Sequence, residues 1–576
     1  GSMLTRWGKA VQPDSVLAEY PRPQMVRDGW QNLNGLWRYA ITPLRAGQPQ
    51  AWEGDILVPF CVESPLSGVG RRVSPEQRIW YQRSFSLEAA DSRTLLHFGA
   101  VDYECAVWVN GALAGAHQGG FDPFTLDITD YVDAGDNELV LAVRDPSSRG
   151  EQPRGKQHLN PQGIWYTPVS GIWQTVWLEQ VPLAQHIAEL RMVPTDGCDG
   201  IVFTAFLNRP SRSPELMVGV DIRLGDRLVS QVVVPPDRRT VIEVPDAELW
   251  SPDQPILYDV AVTLYRGQSP LPESDSSEGG LHRAHPLRGA QEAQRFARAE
   301  LNSAEPLDQV SGYFGLRRIS VGPHPEGGHP TLLLNDEPLF QLGTLDQGWW
   351  PDGLHTPPAD EAMVFEIEYL KAAGFNTLRK HIKVEPARYY YHCDRLGILV
   401  WQDMPSGFLP AQFVAPNDED EALRSSSASE QFELELSRMI NRLSVHPSIV
   451  TWVLHNEGWG QAETGRLTGK IRGMDSTRLV NATSGWLDMG VGDFIDRHDY
   501  EAEPDGPEPD GRRALVLGEY GGIGWPIEAH LWNPELRNWG YQTLHSEADV
   551  RAAYSNATAA IVSLARARGL SGAIYT

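Results

Sequence analysis

The 576-residue chain is too long for a single hydrophobic core, so about two to four domains are expected. Its formal net charge is −26, from 49 basic and 75 acidic residues. That balance argues against nucleic acid and anionic membrane as partners and suits a neutral one, although solubility alone accounts for it. No apolar run approaches the roughly 20 residues that span a bilayer.

In chain order, the opening Gly1-Ser2-Met3 reads as an expression remnant, with no charged-then-apolar leader after it. Residues 1–183 read as all-β. Runs at 95–98, 106–109, 138–143 and 175–178 are rich in β-branched and aromatic residues, and Gly, Asn, Asp and Pro punctuate them, as in a sandwich or jelly roll. Asn110-Gly111 after an alternating run marks a hairpin, because both residues tolerate positive φ. Residues 184–325 read as an immunoglobulin-like β-sandwich with a strand at 257–264. Residues 266–309 interrupt it, first Ser/Pro/Gly/Glu-rich and then Ala/Arg/Glu/Gln-rich, which predicts a long, partly disordered surface insertion carrying one helix. The four cysteines (Cys61, Cys105, Cys198, Cys393) are far apart and form no CxxC pair. Buried thiols, a reducing compartment and a cytoplasmic location are expected, with no disulfide framework or zinc site.

Residues 326–576 change rhythm. Apolar runs at 339–345, 377–382, 398–404, 449–457, 479–484, 494–500, 515–520 and 572–576 alternate with helical patterns such as 360–373, 430–443 and 550–568. This predicts a (β/α)8 TIM barrel that stops after its eighth strand, its last loop and closing helix lying beyond Thr576. Chemistry in such barrels sits at the C-terminal strand ends. The fourth run ends in Glu457 and the seventh in Glu519, two carboxylates facing each other across the mouth. Glycoside hydrolysis needs such a pair: one acid protonates the leaving oxygen, and the opposite carboxylate attacks the anomeric carbon.

Other polar and aromatic residues near strand ends join the candidates. Arg379 ends the second run and His381 follows it. Asp346 and Trp350 follow the first, and Asp403 ends the third. Asp496, His498 and Tyr500 alternate onto one face of the sixth. Trp486 and Trp525 follow the fifth and seventh as prospective subsite walls. Each has a plainer reading as an ion pair, a satisfied polar layer or loop packing.

The motifs, taken in order, resemble family 2 glycoside hydrolases over nearly the whole chain. His446-Pro447-Ser448-Ile449 leads into a Trp-containing strand ending His455-Asn456-Glu457-Gly458, and Gly518-Glu519-Tyr520-Gly521 is similar to the family's nucleophile segment. Trp30-Gln31-Asn32-Leu33-Asn34-Gly35-Leu36-Trp37, Val107-Trp108-Val109-Asn110-Gly111, the stretch from His117 to Phe124 and Ser170-Gly171-Ile172-Trp173 resemble its jelly-roll domain. Leu249-Trp250-Ser251-Pro252 with Leu257-Tyr258 resembles the sandwich, and Gly315-Leu316-Arg317 its junction with the barrel.

The resemblance implies Glu457 as general acid/base and Glu519 as nucleophile. Asn456 would bond the sugar 2-hydroxyl, Arg379 would orient Glu519, Tyr500 would donate to Glu519, and His498 would contact substrate. Tyr575 would lie under the sugar ring, and Gln157, in the Arg154-Gly155-Lys156-Gln157 loop, would reach the mouth from the first domain. Where many members carry a His three residues after the Arg, His381 comes two after Arg379, a departure that alters this loop's sugar contacts. Some β-galactosidases of the family bind Mg²⁺ through a Glu-x-His after strand three. Here Gln402-Asp403-Met404-Pro405-Ser406 stands in that place, so no metal and no cofactor are expected. The β-glucuronidase Asn-x-Lys motif is not evident either. The implied partner is a carbohydrate, cleaved with retention from the non-reducing end. A β-galactoside is the first expectation, and a furanoside (galactofuranoside or arabinofuranoside), β-glucuronide or β-mannoside are the alternatives. A carbohydrate-binding protein without catalysis is the competing class. Homo-oligomers are common in the family, and nothing in the sequence fixes the state.

Overall fold

The computed structural model describes residues 3–88, 91–267, 304–407, 421–535 and 538–576, with 282–284 by their backbone. The N-terminal jelly roll faces a six-stranded antiparallel sheet against a four-stranded one. Alternation does the burying: along Glu104–Val109 every second residue is buried, so Cys105, Val107 and Val109 meet Leu139, Leu141 and Val143 in the core. Asn110 and Gly111 make the expected hairpin, at φ 49° and 79°.

Two four-stranded sheets form the immunoglobulin-like sandwich. From the insertion, His282–Ala284 runs parallel to Thr240–Glu243, and Glu305–Phe314 pairs with Tyr258–Arg266. The helix expected within the insertion falls outside the described residues. All four cysteines are free and buried. Among the described residues, no helix is long and apolar enough to cross a membrane.

The third unit is an eight-stranded parallel sheet. Its strands are β1 (Gln341–Asp346), β2 (Thr377–Lys380), β3 (Leu399–Asp403), β4 (Ile449–Asn456), β5 (Leu479–Ser484), β6 (Phe494–Asp499), β7 (Ala514–Tyr520) and β8 (Leu570–Tyr575). Backbone ladders run in the order β5-β4-β3-β2-β1-β8-β7-β6. The two end strands close the ring mainly through side chains. Asp493 N donates to Val480 O at 2.8 Å, while the Asp496 carboxylate accepts from Asn481 Nδ2 at 2.7 Å and Ser484 Oγ at 2.6 Å.

The helices are α1 (Asp360–Ala372), α2 (Ala387–Leu396), α3 (Ser426–Leu443), α4 (Thr464–Met474) and α5 (Glu547–Arg568). The Ser425 and Ser546 side chains accept from Ala428 N and Asp549 N, capping α3 and α5. Among the described residues, no helix follows β5 or β6 before the next strand.

The N-terminal end of the barrel is plugged. Ile319, Leu332 and Leu334 of a small three-stranded sheet pack on Leu399, Val450, Leu479, Phe494 and Ala514, residues at the starts of β3 to β7. The opposite end is left for chemistry. There the jelly roll leans over the mouth: Arg154 N and Gly155 N donate to Ser406 O at 3.0 and 3.2 Å. Gly155 has φ 62°, and a Cβ on it would stand 2.4 Å from the Ile382 carbonyl oxygen, so only glycine allows this approach. The contact places Lys156 at the barrel mouth.

Below the site, Asp475 is a buried knot. It accepts from Thr477 N and Oγ1 at 2.9 and 2.7 Å, from Arg478 Nη1 at 2.9 Å and from Trp452 Nε1 at 3.0 Å. Burial alone would raise its pKa, but Arg478 and the Thr477 and Trp452 donors outweigh it and hold the carboxyl at about 2. A carboxyl depressed on folding adds stability above its unfolded value of about 3.9, and loses it as pH falls toward 2. Asp475→Asn is therefore expected to cost about 2–4 kcal/mol in urea unfolding at pH 7. The gap to wild type should narrow by half or more at pH 3. A gap independent of pH would refute this assignment.

Candidate active site

Two backbone irregularities aim the glutamates. Glu457 follows β4 in the left-handed region (φ 52°), with Gly458 at φ 69°, and its amide is held by Ser484 O at 2.8 Å. A left-handed non-glycine residue costs of order 1 kcal/mol and is typical of functional sites. In β7 the register skips Gly518: Arg497 opposes Leu517 and His498 opposes Glu519. This extra residue turns Gly518 and Glu519 inward in succession, while Leu517 and Tyr520 pack outward with Ala557 and Ile561 of α5. A Cβ on Gly518 would stand 2.3 Å from an Asp496 oxygen, so the inward turn requires glycine there.

The two carboxylates meet. One oxygen of Glu457, one of Glu519 and a ring nitrogen of His498 lie within 4.8 Å of one another. The Tyr500 hydroxyl sits between the glutamates, donating to Glu519 Oε2 at 2.7 Å and lying 3.0 Å from Glu457 Oε1. Burial, Glu519 and Glu457 drive the phenol pKa far above its ordinary value, so it keeps its proton. Carboxylates whose oxygens approach this closely leave no room between them for the water that an inverting pair, roughly 6.5–9.5 Å apart, must hold, which suits the closer pair of a retaining glycosidase.

Arg379 is fully buried and organises the floor. It donates from Nε and Nη2 to the two Asp403 oxygens at 2.9 Å each, from Nη2 to Asn456 Oδ1 at 2.7 Å, and from Nη1 to Gly518 O at 3.1 Å and Glu519 Oε1 at 3.4 Å. A planar fork suits that set of acceptors. The Asn456 Nδ2 and His381 Nε2 atoms beside it are buried without a partner among the described residues, leaving two polar groups for a ligand. Burial, Lys156 and Arg379 hold His381 well below its ordinary pKa against the pull of Glu519, so it is neutral.

His498 joins the acids to the sixth strand. Its Nδ1 is 2.8 Å from Glu457 Oε1 and its Nε2 is 2.9 Å from Ser484 Oγ, whose proton goes to Asp496. Burial opposes charge on this ring, but Glu519, Glu457 and Asp496 prevail and raise its pKa. For Glu457, burial alone would raise the pKa, yet the hydrogen bond and charge of His498, with Lys156 and Tyr500, hold it below its ordinary value. The two groups thus favour each other's charged form across a single hydrogen bond. Glu457, His498 and Glu519 have the spacing of a three-ligand cation site, but Arg379, Lys156 and His498 already supply positive charge there.

Several expected contacts are elsewhere. Gln157 is buried inside the jelly roll, donating to Asp102 Oδ2 at 2.8 Å and accepting from Val169 N at 2.7 Å. Its neighbour Lys156 reaches the barrel instead, in a cavity of about 480 Å³ shared with Glu519, Gln347, Tyr541 and Thr576. Burial lowers the Lys156 pKa against the pull of Glu519 and Glu457, and its Nζ lies 5.6 Å from the Trp459 ring centroid. Tyr575 does not underlie the mouth. Strand alternation points it outward, between Tyr520 and Tyr554 of α5, and Thr576 faces Glu519 Oε2 at 3.3 Å.

Asp346 is held by Lys380 Nζ at 2.7 Å and by Tyr389, and Asp403 by Arg379 and His381, so both support the floor rather than face a ligand. Trp350 is buried edge-on against Trp7, while Trp486 and Trp525 are exposed at the surface. Lys156 and Tyr541, which stacks on Tyr500 at 3.6 Å, are additions. The only sequence signal for Lys156 is a charged residue in the loop already singled out.

The glutamates at the ends of the fourth and seventh strands thus form, at the C-terminal face of a barrel, the kind of carboxylate pair that glycoside hydrolysis uses. Residues 69–182 match the sugar-binding domain, and residues 358–509 the TIM barrel domain, of family 2 glycosyl hydrolases. Both matched domains are those of glycoside hydrolase family 2. It is 23% identical over 531 residues to a β-galactosidase of Yersinia pestis, covering 84% of this chain. It spans less than half the length of the curated relatives it matches, 39% and 45% for two of them. Among solved structures it resembles a β-D-glucuronidase of Dictyoglomus thermophilum (TM-score 0.70, 18% identity, 96% of this chain and 91% of that one). It also resembles a β-galacturonidase of Eisenbergiella tayi (TM-score 0.65, 19% identity, 96% and 90%).

Proposed function

We propose that the protein is a retaining exo-glycosidase acting on a terminal non-reducing sugar. The observation carrying this reading is the pair of buried glutamates with oxygens within 4.8 Å, bridged by the Tyr500 hydroxyl. In the first step a Glu519 oxygen attacks the anomeric carbon, forming a glycosyl ester as the bond to the leaving oxygen breaks. Glu457, supplied with a proton from His498, protonates that oxygen. Water then attacks the same carbon, Glu457 takes its proton and returns it to His498, and the ester opens to regenerate Glu519. Arg379 and Tyr500 hold the nucleophile in line. The Asn456 amide is placed for a hydroxyl of the sugar, and His381 Nε2 for another.

For the sugar, the buried Lys156 ammonium favours an acidic ring, a β-glucuronide or β-galacturonide, over the β-galactoside expected from sequence. A carboxylate on the sugar would give Lys156 a charge-assisted partner. The similarity to a β-glucuronidase and a β-galacturonidase agrees with this reading, and the similarity to a β-galactosidase keeps the neutral sugar as the second reading.

The test is a panel of p-nitrophenyl glycosides, uronides, pyranosides and furanosides of both anomers, run with wild type and Lys156→Met. On a uronide, Lys156→Met should lower kcat/KM by about 100-fold, the scale of a buried charge-assisted bond. Turnover confined to neutral sugars would sink the uronide reading. No turnover on any substrate, by folded protein, would move the chain to the class of sugar-binding proteins.

A further inference from the structure

Next to the pocket of Glu519 lies a larger open trough of about 1180 Å³, lined mainly by residues 160–167 of the jelly roll, by residues 349–354 after β1 and by His530, Trp532, Asn533, Asn538 and Trp539 after β7. The two spaces adjoin: Gly163, Tyr166, Trp532 and Trp539 line both, which sets the trough beside the cavity of the catalytic carboxylate. The volume exceeds the roughly 300–1,000 Å³ of a typical single-ligand site.

The lining has a repeated chemistry. Trp532 and Trp539 expose 54% and 52% of their surface, and Tyr166 stacks on Trp349 at 4.7 Å. The side-chain amides of Asn160, Gln162, Asn533 and Asn538 belong to the same lining. Large exposed indoles are a cost for a surface with no ligand. Flat apolar faces together with amides suit a chain of sugar rings, whose C–H faces stack while their hydroxyls bond to amides. Gly163, at φ 59°, lies beside Trp539, its Cβ position in van der Waals range of the indole.

We propose that this trough binds the sugar units adjoining the one at Glu519, so that the substrate is the end of an oligosaccharide rather than a small glycoside. Trp532 and Trp539 are its stacking platforms. The inference rests on the glycosidase reading for its placement, and the experiment separates the two. The substrates are the glycosyl fluoride of the sugar identified by the panel, which has no extended leaving group, and di-, tri- and tetrasaccharides ending in galactose, glucuronic acid or galacturonic acid.

For wild type, kcat/KM should rise by about tenfold or more from disaccharide to tetrasaccharide. Trp532→Ala and Trp539→Ala should each cut the tetrasaccharide-to-fluoride ratio by about tenfold, the scale of one aromatic stack. In parallel, the same tetrasaccharides are titrated into the Glu457→Gln protein by tryptophan fluorescence. Turnover without chain-length dependence, or a ratio unchanged in both Trp variants, overturns the trough and leaves the hydrolase intact. Chain-length-dependent binding lost in the Trp variants, with no turnover by wild type, sustains the trough and overturns the hydrolase.

Discussion

Glu519→Gln is expected to lower kcat by at least about 10⁴-fold on any accepted glycoside, because an amide cannot form the glycosyl ester and the reaction loses its first bond. The substitution is close to isosteric: Arg379 can still meet the amide oxygen, while the Tyr500 hydroxyl turns from donating to accepting at the amide nitrogen, so the thermal midpoint should stay within a few degrees. Glu457→Gln should behave differently. Its loss is expected at about 10²–10⁴-fold, the usual worth of a general acid. It should be smallest for leaving groups that depart without a proton, such as nitrophenolates, and largest for sugar alcohols. The diagnostic is therefore the dependence on leaving group: strong in Glu457→Gln, weak in Glu519→Gln. Equal profiles in the two variants would remove the distinction between acid and nucleophile, and more than a tenth of wild-type turnover in either would remove that residue from the mechanism.

Arg379→Ala should damage both the fold and the chemistry. The guanidinium is the shared donor for Asp403, Asn456, Gly518 O and Glu519. Deleting it strands buried Asp403 without its main counter-charge, a loss of about 3–5 kcal/mol. At this domain size that corresponds to a fall of roughly 10 °C in the thermal midpoint. Arg379→Lys restores the charge but not the fork, since one ammonium cannot span both Asp403 oxygens and Asn456 as well. It should recover part of the stability while kcat stays at least about 100-fold down. If Arg379→Lys recovers rate and stability together, the residue is a simple counter-charge and the positioning role is wrong.

Much of the scaffold was legible because burial leaves a local trace. The apolar runs of β4 and β7 end in glutamate, and the patterns at 360–373, 430–443 and 550–568 correspond to α1, α3 and α5. α4 is harder to read, because Gly465, Gly469 and Gly473 lower its propensity by about 1 kcal/mol each, leaving Leu467 and Ile471 to mark its buried face. Where side chains lie otherwise than their strand positions suggest, the causes are long-range. Asp346 and Asp403 look available at strand ends until Lys380 and Arg379 cross from β2 to meet them. Tyr575 is one residue out of phase, so its neighbour faces the nucleophile. Lys156 took the place expected of Gln157 because a loop's aim is set by the surface on which it lands, here Ser406 and Ile382. The inward turn of Glu519 depends on a skipped register at Gly518, which no alternation pattern shows.

The joint between β5 and β6 has a further meaning. It is where the ring of strands lacks a full ladder, and His498 spans it, touching Ser484 on one side and Glu457 on the other. The imidazole that meets the Glu457 carboxylate is thus also one of the side chains that join the two end strands. A change at His498 is therefore felt in two places at once, in the surroundings of the acid and in the closure of the barrel wall.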